Sequence, residues 1–137
     1  YDPDTNTLYG YDSIADRLLV IDTDSGTATM VADTPLFSNT ANIPWGIAFD
    51  PDRGVLYGLT NFKLYEIDPA SGDTMELADT GRPLFSPVYD AGTDRLYAIT
   101  SDQANATRNI VSVDTATGDV SVAAHSTAFY NDFAFLP

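Results

Sequence analysis

The sequence predicts an all-β chain made of three repeats, each with four short strands. Three observations support that prediction: a turn sequence that recurs at a fixed interval, short apolar segments, and turn residues between those segments. The apolar segments are five or six residues long, which suits strands, whereas helices of globular proteins usually need about ten residues or more. No long helical periodicity competes with this pattern.

The repeat is defined by two recurring segments. A turn hexapeptide recurs at intervals of 46 residues: IDTDSG at 21–26, IDPASG at 67–72 and VDTATG at 113–118. A tripeptide precedes each copy of it: LYG at 8–10, LYG at 56–58 and LYA at 96–98. A period of this length indicates a supersecondary unit that packs against its own copies.

The middle repeat shows the four expected strands most clearly. We predict them at residues 45–50, 55–60, 64–68 and 74–78, which are rich in Val, Ile, Leu, Tyr and Thr. The sequences DPDRG and DPASG separate the first strand from the second and the third from the fourth. Their proline fixes φ at about −65°, and their glycine closes a hairpin at positive φ.

Four antiparallel strands in a unit of about 40 to 50 residues are typical of a β-propeller blade. We expect blade 1 at about 1–34, blade 2 at about 44–80 and blade 3 at about 85–126. An extra innermost strand is expected at 129–137. A β-sandwich is the alternative, but a sandwich has no reason to repeat its sequence every 46 residues.

The phase of the repeat suggests how the propeller is completed. The sequence opens on an Asp-Pro pair that aligns with Asp50-Pro51, late in an innermost strand. Three blades do not close a ring, because propellers have about four to eight. We expect a six-bladed ring, completed either by a second copy or by further sequence, with filaments as the third outcome. The strand exchanged between copies would carry Phe129, Phe133 and Phe135.

Composition excludes several kinds of partner and site. Twenty acidic residues face six Lys and Arg, and the net charge of −14 repels phosphate, so nucleic acid is not an expected partner. The sequence has no run of 18 apolar residues, so insertion into a membrane is not expected. Cysteine is absent, which excludes disulfides and thiolate sites.

Few residues could carry chemistry. The sequence lacks a Walker loop, a dinucleotide fingerprint and a nucleophile elbow, and no catalytic residue is predicted. The candidate ligand-binding residues are polar or aromatic and fall near one end of the predicted blades: Trp45, Arg82, His125, Tyr130 and Asp132.

Each candidate also has an ordinary structural interpretation. Trp45 is either a packing residue between blades or a stacking platform for a sugar. His125 is either a surface-loop variant or part of a site. Asp132 introduces a charge at the start of an innermost strand, where it would either be a satisfied polar group or orient a cation or polar ligand.

No cofactor or metal is expected, and calcium is the one cation with any signal. The turns that begin at Asp22 and Asp50 place aspartates close together, as calcium loops do. They lack the distal bidentate glutamate and the further oxygen ligands of an EF-hand loop. A hairpin turn accounts for both sequences, because aspartate bonds its own backbone in turns, and we expect Asp22 and Asp50 to be solvated turn residues.

One family resemblance rests on LYGLT at 56–60 followed by LYEIDPASGD at 64–73. These segments resemble the repeats of secreted bacterial and archaeal β-propellers of the YVTN/NHL-like type, which include surface-protein domains of unassigned function. The resemblance covers the whole chain. It implies blade architecture and an extracellular or cell-surface location, but no particular activity, because fold does not fix function.

Three functions are therefore compatible with the sequence. The first is a non-enzymatic extracellular module for binding or self-assembly. The second is a propeller enzyme that acts on a small molecule or glycan at the channel mouth, using Asp132, His125, Arg82 and Trp45. The third is a structural repeat that calcium stabilises.

Overall fold

A computed structural model describes residues 1–31, 44–102 and 107–125 of the chain. Those ranges contain β-strands and no helix, which confirms the all-β prediction. The eleven strands are β1 (Leu8–Asp12), β2 (Arg17–Ile21), β3 (Ala28–Met30), β4 (Ile47–Asp50), β5 (Val55–Leu59), β6 (Lys63–Ile67), β7 (Thr74–Asp79), β8 (Phe85–Asp90), β9 (Arg95–Asp102), β10 (Thr107–Val113) and β11 (Val120–His125). The strand predicted at 129–137 lies outside the described residues.

The strands form three antiparallel sheets in which neighbours along the chain are also neighbours in space. Sheet 1 contains β1 to β3, sheet 2 contains β4 to β7, and sheet 3 contains β8 to β11. The described part of sheet 1 thus has three strands rather than the four predicted. In place of an innermost strand, the described part of sheet 1 has a β-bridge between Asp2 and Thr7. This bridge corresponds to the Asp50–Val55 pair of sheet 2, which has the same separation along the chain.

The sheets pack face to face through two apolar layers. Burying one large apolar side chain in such a layer contributes about 1.5 to 3 kcal/mol. Between sheets 1 and 2 the buried residues are Leu18, Leu56, Tyr65 and Ile67. Between sheets 2 and 3 they include Tyr57, Leu59, Leu64, Leu96, Val111 and Val113.

The same aromatic pair occurs in both layers. Tyr9 of sheet 1 stacks on Phe49 of sheet 2 with 5.6 Å between ring centroids. Tyr57 of sheet 2 lies 5.8 Å from Tyr89 of sheet 3. Tyr9 and Tyr57 are equivalent positions of the LYG repeat, and Phe49 and Tyr89 both precede an inner-strand aspartate. Sheet 1 therefore meets sheet 2 in the way that sheet 2 meets sheet 3.

Seven turns in the described chain share one geometry, which we call the Asp turn. Each begins with an aspartate and has a positive φ four residues later. The pairs are Asp2–Asn6, Asp12–Asp16, Asp22–Gly26, Asp50–Gly54, Asp68–Gly72, Asp90–Asp94 and Asp114–Gly118. In the Asp22 turn the carboxylate accepts from the amides of Asp24 and Ser25, at 2.9 Å each. Such bonds fix the turn without help from the rest of the fold.

Three of these turns place Asn or Asp, rather than Gly, at the positive φ, which costs about 1 to 2 kcal/mol for an ordinary residue. These turns are the three that follow a tyrosine, whose hydroxyl donates to the Asn or Asp side chain: Tyr1–Asn6, Tyr11–Asp16 and Tyr89–Asp94. The four turns that follow Ile, Phe or Val all have Gly there. The hydrogen bond from the tyrosine therefore offsets the free-energy cost of the positive φ.

We expect Tyr11→Phe to reduce the free energy of unfolding by about 1 kcal/mol, because it removes the 2.6 Å hydrogen bond to Asp16. In an Asp16→Gly background the same substitution should cost little, since the bond is already absent. Urea denaturation of the four chains measures the coupling. Equal losses in both backgrounds would show that the hydroxyl does not support the turn. Tyr9→Phe is the matched control, on the same strand.

The Asp turns also predict how acid affects stability. Backbone amide donors hold the pKa of Asp22, Asp68 and Asp114 below the ordinary carboxyl value. A carboxyl with a folded pKa below its unfolded value of about 3.9 stabilises the fold above pH 4, and that stability is lost as pH falls through the folded pKa.

Asp68→Asn should therefore make the loss of stability between pH 6 and pH 3 less steep, because asparagine keeps the accepting oxygen and does not titrate. Asp68→Ala should lower stability across the whole range. Thermal unfolding at a series of pH values separates the two variants. If Asp68→Asn lost as much stability in acid as the unchanged chain, the Asp68 carboxylate would not be a cause of that loss.

Candidate functional site

The two ends of the sheets carry different connections. One end, here called the turn end, holds six of the seven Asp turns, because successive hairpins of a meander alternate between ends. The other end, here called the loop end, holds the β5–β6 and β9–β10 connections and the linker that follows β7. The first residues of β4 and β8 and the last residue of β11 lie at the loop end as well.

Cations are concentrated at the loop end. Of the six Lys and Arg of the chain, four lie at or beside loop-end connections: Arg17, Lys63, Arg82 and Arg108. Arg53 and Arg95 lie in or beside Asp turns at the other end. The loop end is consequently the part of this acidic protein where an anion meets the least repulsion.

A groove of about 580 Å³ opens at the loop end, between the linker after β7 and sheet 3. It is lined by Gly81, Arg82, Pro83, Thr100, Ser101, Asn109, Val122 and His125. Thr100, Asn109 and His125 are register partners across β9, β10 and β11, so they share one face of sheet 3. The groove brings together two of the residues that the sequence singled out, Arg82 and His125.

Hydrogen bonds from two threonines fix the linker along the groove. Thr100 Oγ1 donates to the carbonyl of Pro83 at 3.0 Å, and Thr80 Oγ1 donates to the carbonyl of Arg82 at 2.9 Å. The side chains of Arg82 and His125 are exposed, while Asn109 is only 8 % exposed. The backbone is thus held in place, and the side chains of Arg82 and His125 face solvent.

Trp45 does not line this groove. The residue is 47 % exposed, and its ring packs on Phe85 with centroids 4.4 Å apart. The Arg108 guanidinium carbon lies 5.7 Å from the centroid of the same Phe85 ring. Arg108 is also the register partner of Ser101, which lines the groove. Trp45 therefore has a packing contact between sheets 2 and 3 and a free face as well.

The other two predicted site residues, Tyr130 and Asp132, lie outside the described residues, as do Phe129, Phe133 and Phe135. Their roles stay predictions from the sequence. In the described ranges no three His, Cys, Asp or Glu side chains are placed to hold a metal ion. Those ranges contain no helix that is long and apolar enough to cross a membrane.

A buried polar cluster at the turn end was missed by the sequence analysis. Asp50 was expected to be a solvated turn residue, but it is 0 % exposed. Its carboxylate accepts from the amides of Asp52 and Arg53 and from the Tyr57 hydroxyl at 3.3 Å. Alternation along β4 was the available signal, because Asp50 is in phase with buried Ala48.

Arg53 completes the cluster by donating to the Tyr57 hydroxyl at 2.6 Å and to Glu66 at 2.8 Å. Burial raises the pKa of Tyr57, so its hydroxyl stays protonated and can donate to Asp50. These contacts satisfy polar groups beside the layer between sheets 2 and 3. The cluster is therefore suited to fixing the inner hairpin of sheet 2 rather than to proton transfer with a ligand.

Comparisons with known proteins support the fold. No protein-family description matches the chain, and no curated protein sequence matches it. A chain in the crystal structure of a nidogen/laminin complex is similar, with a TM-score of 0.58, 20 % identity, 84 % of this chain covered and 41 % of that chain covered.

The extracellular domain of the putative hybrid two-component system BT4673 from B. thetaiotaomicron is similar with a TM-score of 0.51 and 17 % identity. That match covers 92 % of this chain and 16 % of the other. The chain thus spans less than half the length of either structure. Together with the three stacked antiparallel sheets, these matches show a propeller-like all-β fold.

We expect Asp50→Ala to reduce the free energy of unfolding by about 2 to 3 kcal/mol, because it leaves two backbone amides and the Tyr57 hydroxyl without their buried acceptor. Asp52→Ala, an exposed substitution in the same turn, should change it by less than about 0.5 kcal/mol. Denaturant unfolding of both variants measures the difference. Similar losses would show that the cluster does not anchor the hairpin.

Proposed function

We propose that this chain is a non-enzymatic, extracellular or cell-surface propeller module that functions by assembly, and that a second copy completes its three sheets to a six-bladed ring. The observation that carries the proposal is an apolar face of sheet 1 that no other sheet of the described residues covers.

Sheets 2 and 3 bury the face that meets the preceding sheet. Leu56 and Ile67 on that face of sheet 2 are 1 % and 0 % exposed, and Leu96 and Val113 in sheet 3 are buried to the same degree. The equivalent residues of sheet 1 are Leu8 and Ile21, which are register partners and only half-buried. Sheet 1 therefore presents an apolar face of the kind that its neighbours cover.

The uncovered face of sheet 1 extends over all three of its strands. Leu19 and Met30 are register partners on it, and Met30 is 48 % exposed. At the other end of the stack, Ile99 and Ile110 are register partners on the face of sheet 3 that points away from sheet 2; Ile99 is buried and Ile110 is half-buried. Exposed apolar area of this kind contributes about 25 cal/mol per Å² when it is covered.

A second copy is the occupant that fits both faces. In each internal layer one sheet presents its LYG tyrosine face to the opposite face of the next sheet. Sheet 3 of another chain would present its tyrosine face, and sheet 1 of this chain would present the opposite kind of face. Two chains joined in this way at both ends have two-fold symmetry and six sheets. Exchange of the strand at 129–137 would strengthen the same contact.

Light scattering on a sizing column tests the assembly. The proposal predicts the mass of two chains, stable to tenfold dilution. A folded monomer contradicts it and favours further blades on a longer polypeptide as the covering element. A large, heterogeneous mass also contradicts the closed ring and favours a filament.

Leu19→Glu should convert the assembly to a monomer, because it places a charge on the face that the second copy covers. Met75→Glu is the matched control, since Met75 is 55 % exposed on an outer strand of sheet 2. Far-UV circular dichroism shows whether each variant keeps its strands. Equal masses for both folded variants would show that sheet 1 is not the contact surface.

A further inference from the structure

We propose that the groove at the loop end binds a sugar acid, that is, a monosaccharide unit with one carboxylate. Arg82 would hold the carboxylate, and the Asn109 amide would bind hydroxyl groups. This inference does not depend on assembly, because every residue that lines the groove belongs to one chain.

The size and lining of the groove define the ligand class. A volume of about 580 Å³ lies within the range of about 300 to 1,000 Å³ that is typical of small-molecule sites. Asn109 lines the groove, and its amide can both donate to and accept from sugar hydroxyls. Pro83 and Val122 line the same groove, and Val122 is 46 % exposed, so an apolar C–H face of a sugar ring has a surface to contact.

The Arg82 guanidinium favours a carboxylate over a neutral sugar. Arg82 is exposed, and no salt bridge joins it to another residue within the described chain. A guanidinium binds a carboxylate through two parallel hydrogen bonds, which a neutral hydroxyl cannot reproduce. His125, the last residue of β11, also lines the groove, and its imidazole ring supplies a further nitrogen donor.

The high overall negative charge does not exclude such a ligand. Most acids lie at the turn end, about 17 Å away along a strand of five residues. At physiological ionic strength the screening length is about 8 Å. Asp79 lies two residues before Gly81; its carboxylate accepts from the amide of Gly81 at 2.8 Å, and its register partner is Lys63.

Amide chemical shifts of the isotopically labelled chain test the proposal, with sodium glucuronate as the probe and constant salt. We expect saturable shifts at Gly81, Ser101, Asn109 and His125. Glucose, which lacks the carboxylate, and acetate, which lacks the ring, should each bind at least tenfold more weakly. Equal binding of glucose or of acetate would overturn the assignment of a sugar acid, and the absence of saturable shifts would overturn the site.

Arg82→Gln should weaken glucuronate binding about tenfold, the effect of losing one charge-assisted pair. Arg95→Gln is the matched control, because Arg95 is an exposed arginine at the turn end. An equal loss in both variants would show that net charge, rather than the groove, controls binding. The amide spectra of both variants also report whether each remains folded.

Discussion

Each sheet of this protein is apolar on both faces, and this constraint governs the architecture. Sheet 2 shows it most clearly: Leu56 and Ile67 pack towards sheet 1, while Tyr57 and Leu64 pack towards sheet 3. A sheet of this kind is stable only between two neighbours, because each uncovered face leaves apolar area in water. A stack of such sheets has no natural end, so it must close on itself or find a covering partner.

The turns make this stacking reproducible. An Asp turn sets its own geometry through local hydrogen bonds, so the strands on either side keep the same register in each sheet. Two kinds of residue occupy the position with positive φ: glycine, or an Asn or Asp whose side chain accepts a hydrogen bond from a tyrosine hydroxyl. Because Tyr11 and Tyr89 also lie in strands and pack in the layers, turn geometry and packing support each other.

The fold could be predicted from the sequence because each strand is short and each turn carries its own signal. The strand predicted at 45–50 is β4, Ile47–Asp50, and the one predicted at 74–78 is β7, Thr74–Asp79. The non-glycine positive φ values at Asn6, Asp16 and Asp94 were not predicted, because the turn rule considered glycine only. Recognising them requires the tyrosine five residues earlier.

The candidate site could be predicted only in part. The sequence placed Arg82 and His125 at one end of the blades, and the structure brings them to the same groove. Nothing in the sequence indicated that Thr100 and Asn109 belong to the site, because their positions depend on the register of β9, β10 and β11. Asp50 was misjudged because composition treats a turn aspartate as solvated, whereas its place in β4 directs it inward.

The proposed closure by a second copy gives the two ends separate roles: the Asp turns stabilise the ring, and the loop end is free to bind a ligand. A crystal structure of the assembled chain tests this most directly. The account predicts that Leu8, Leu19 and Ile21 of one protomer are fully buried against sheet 3 of its partner. A well-ordered, single three-sheet chain with those side chains in solvent would contradict it.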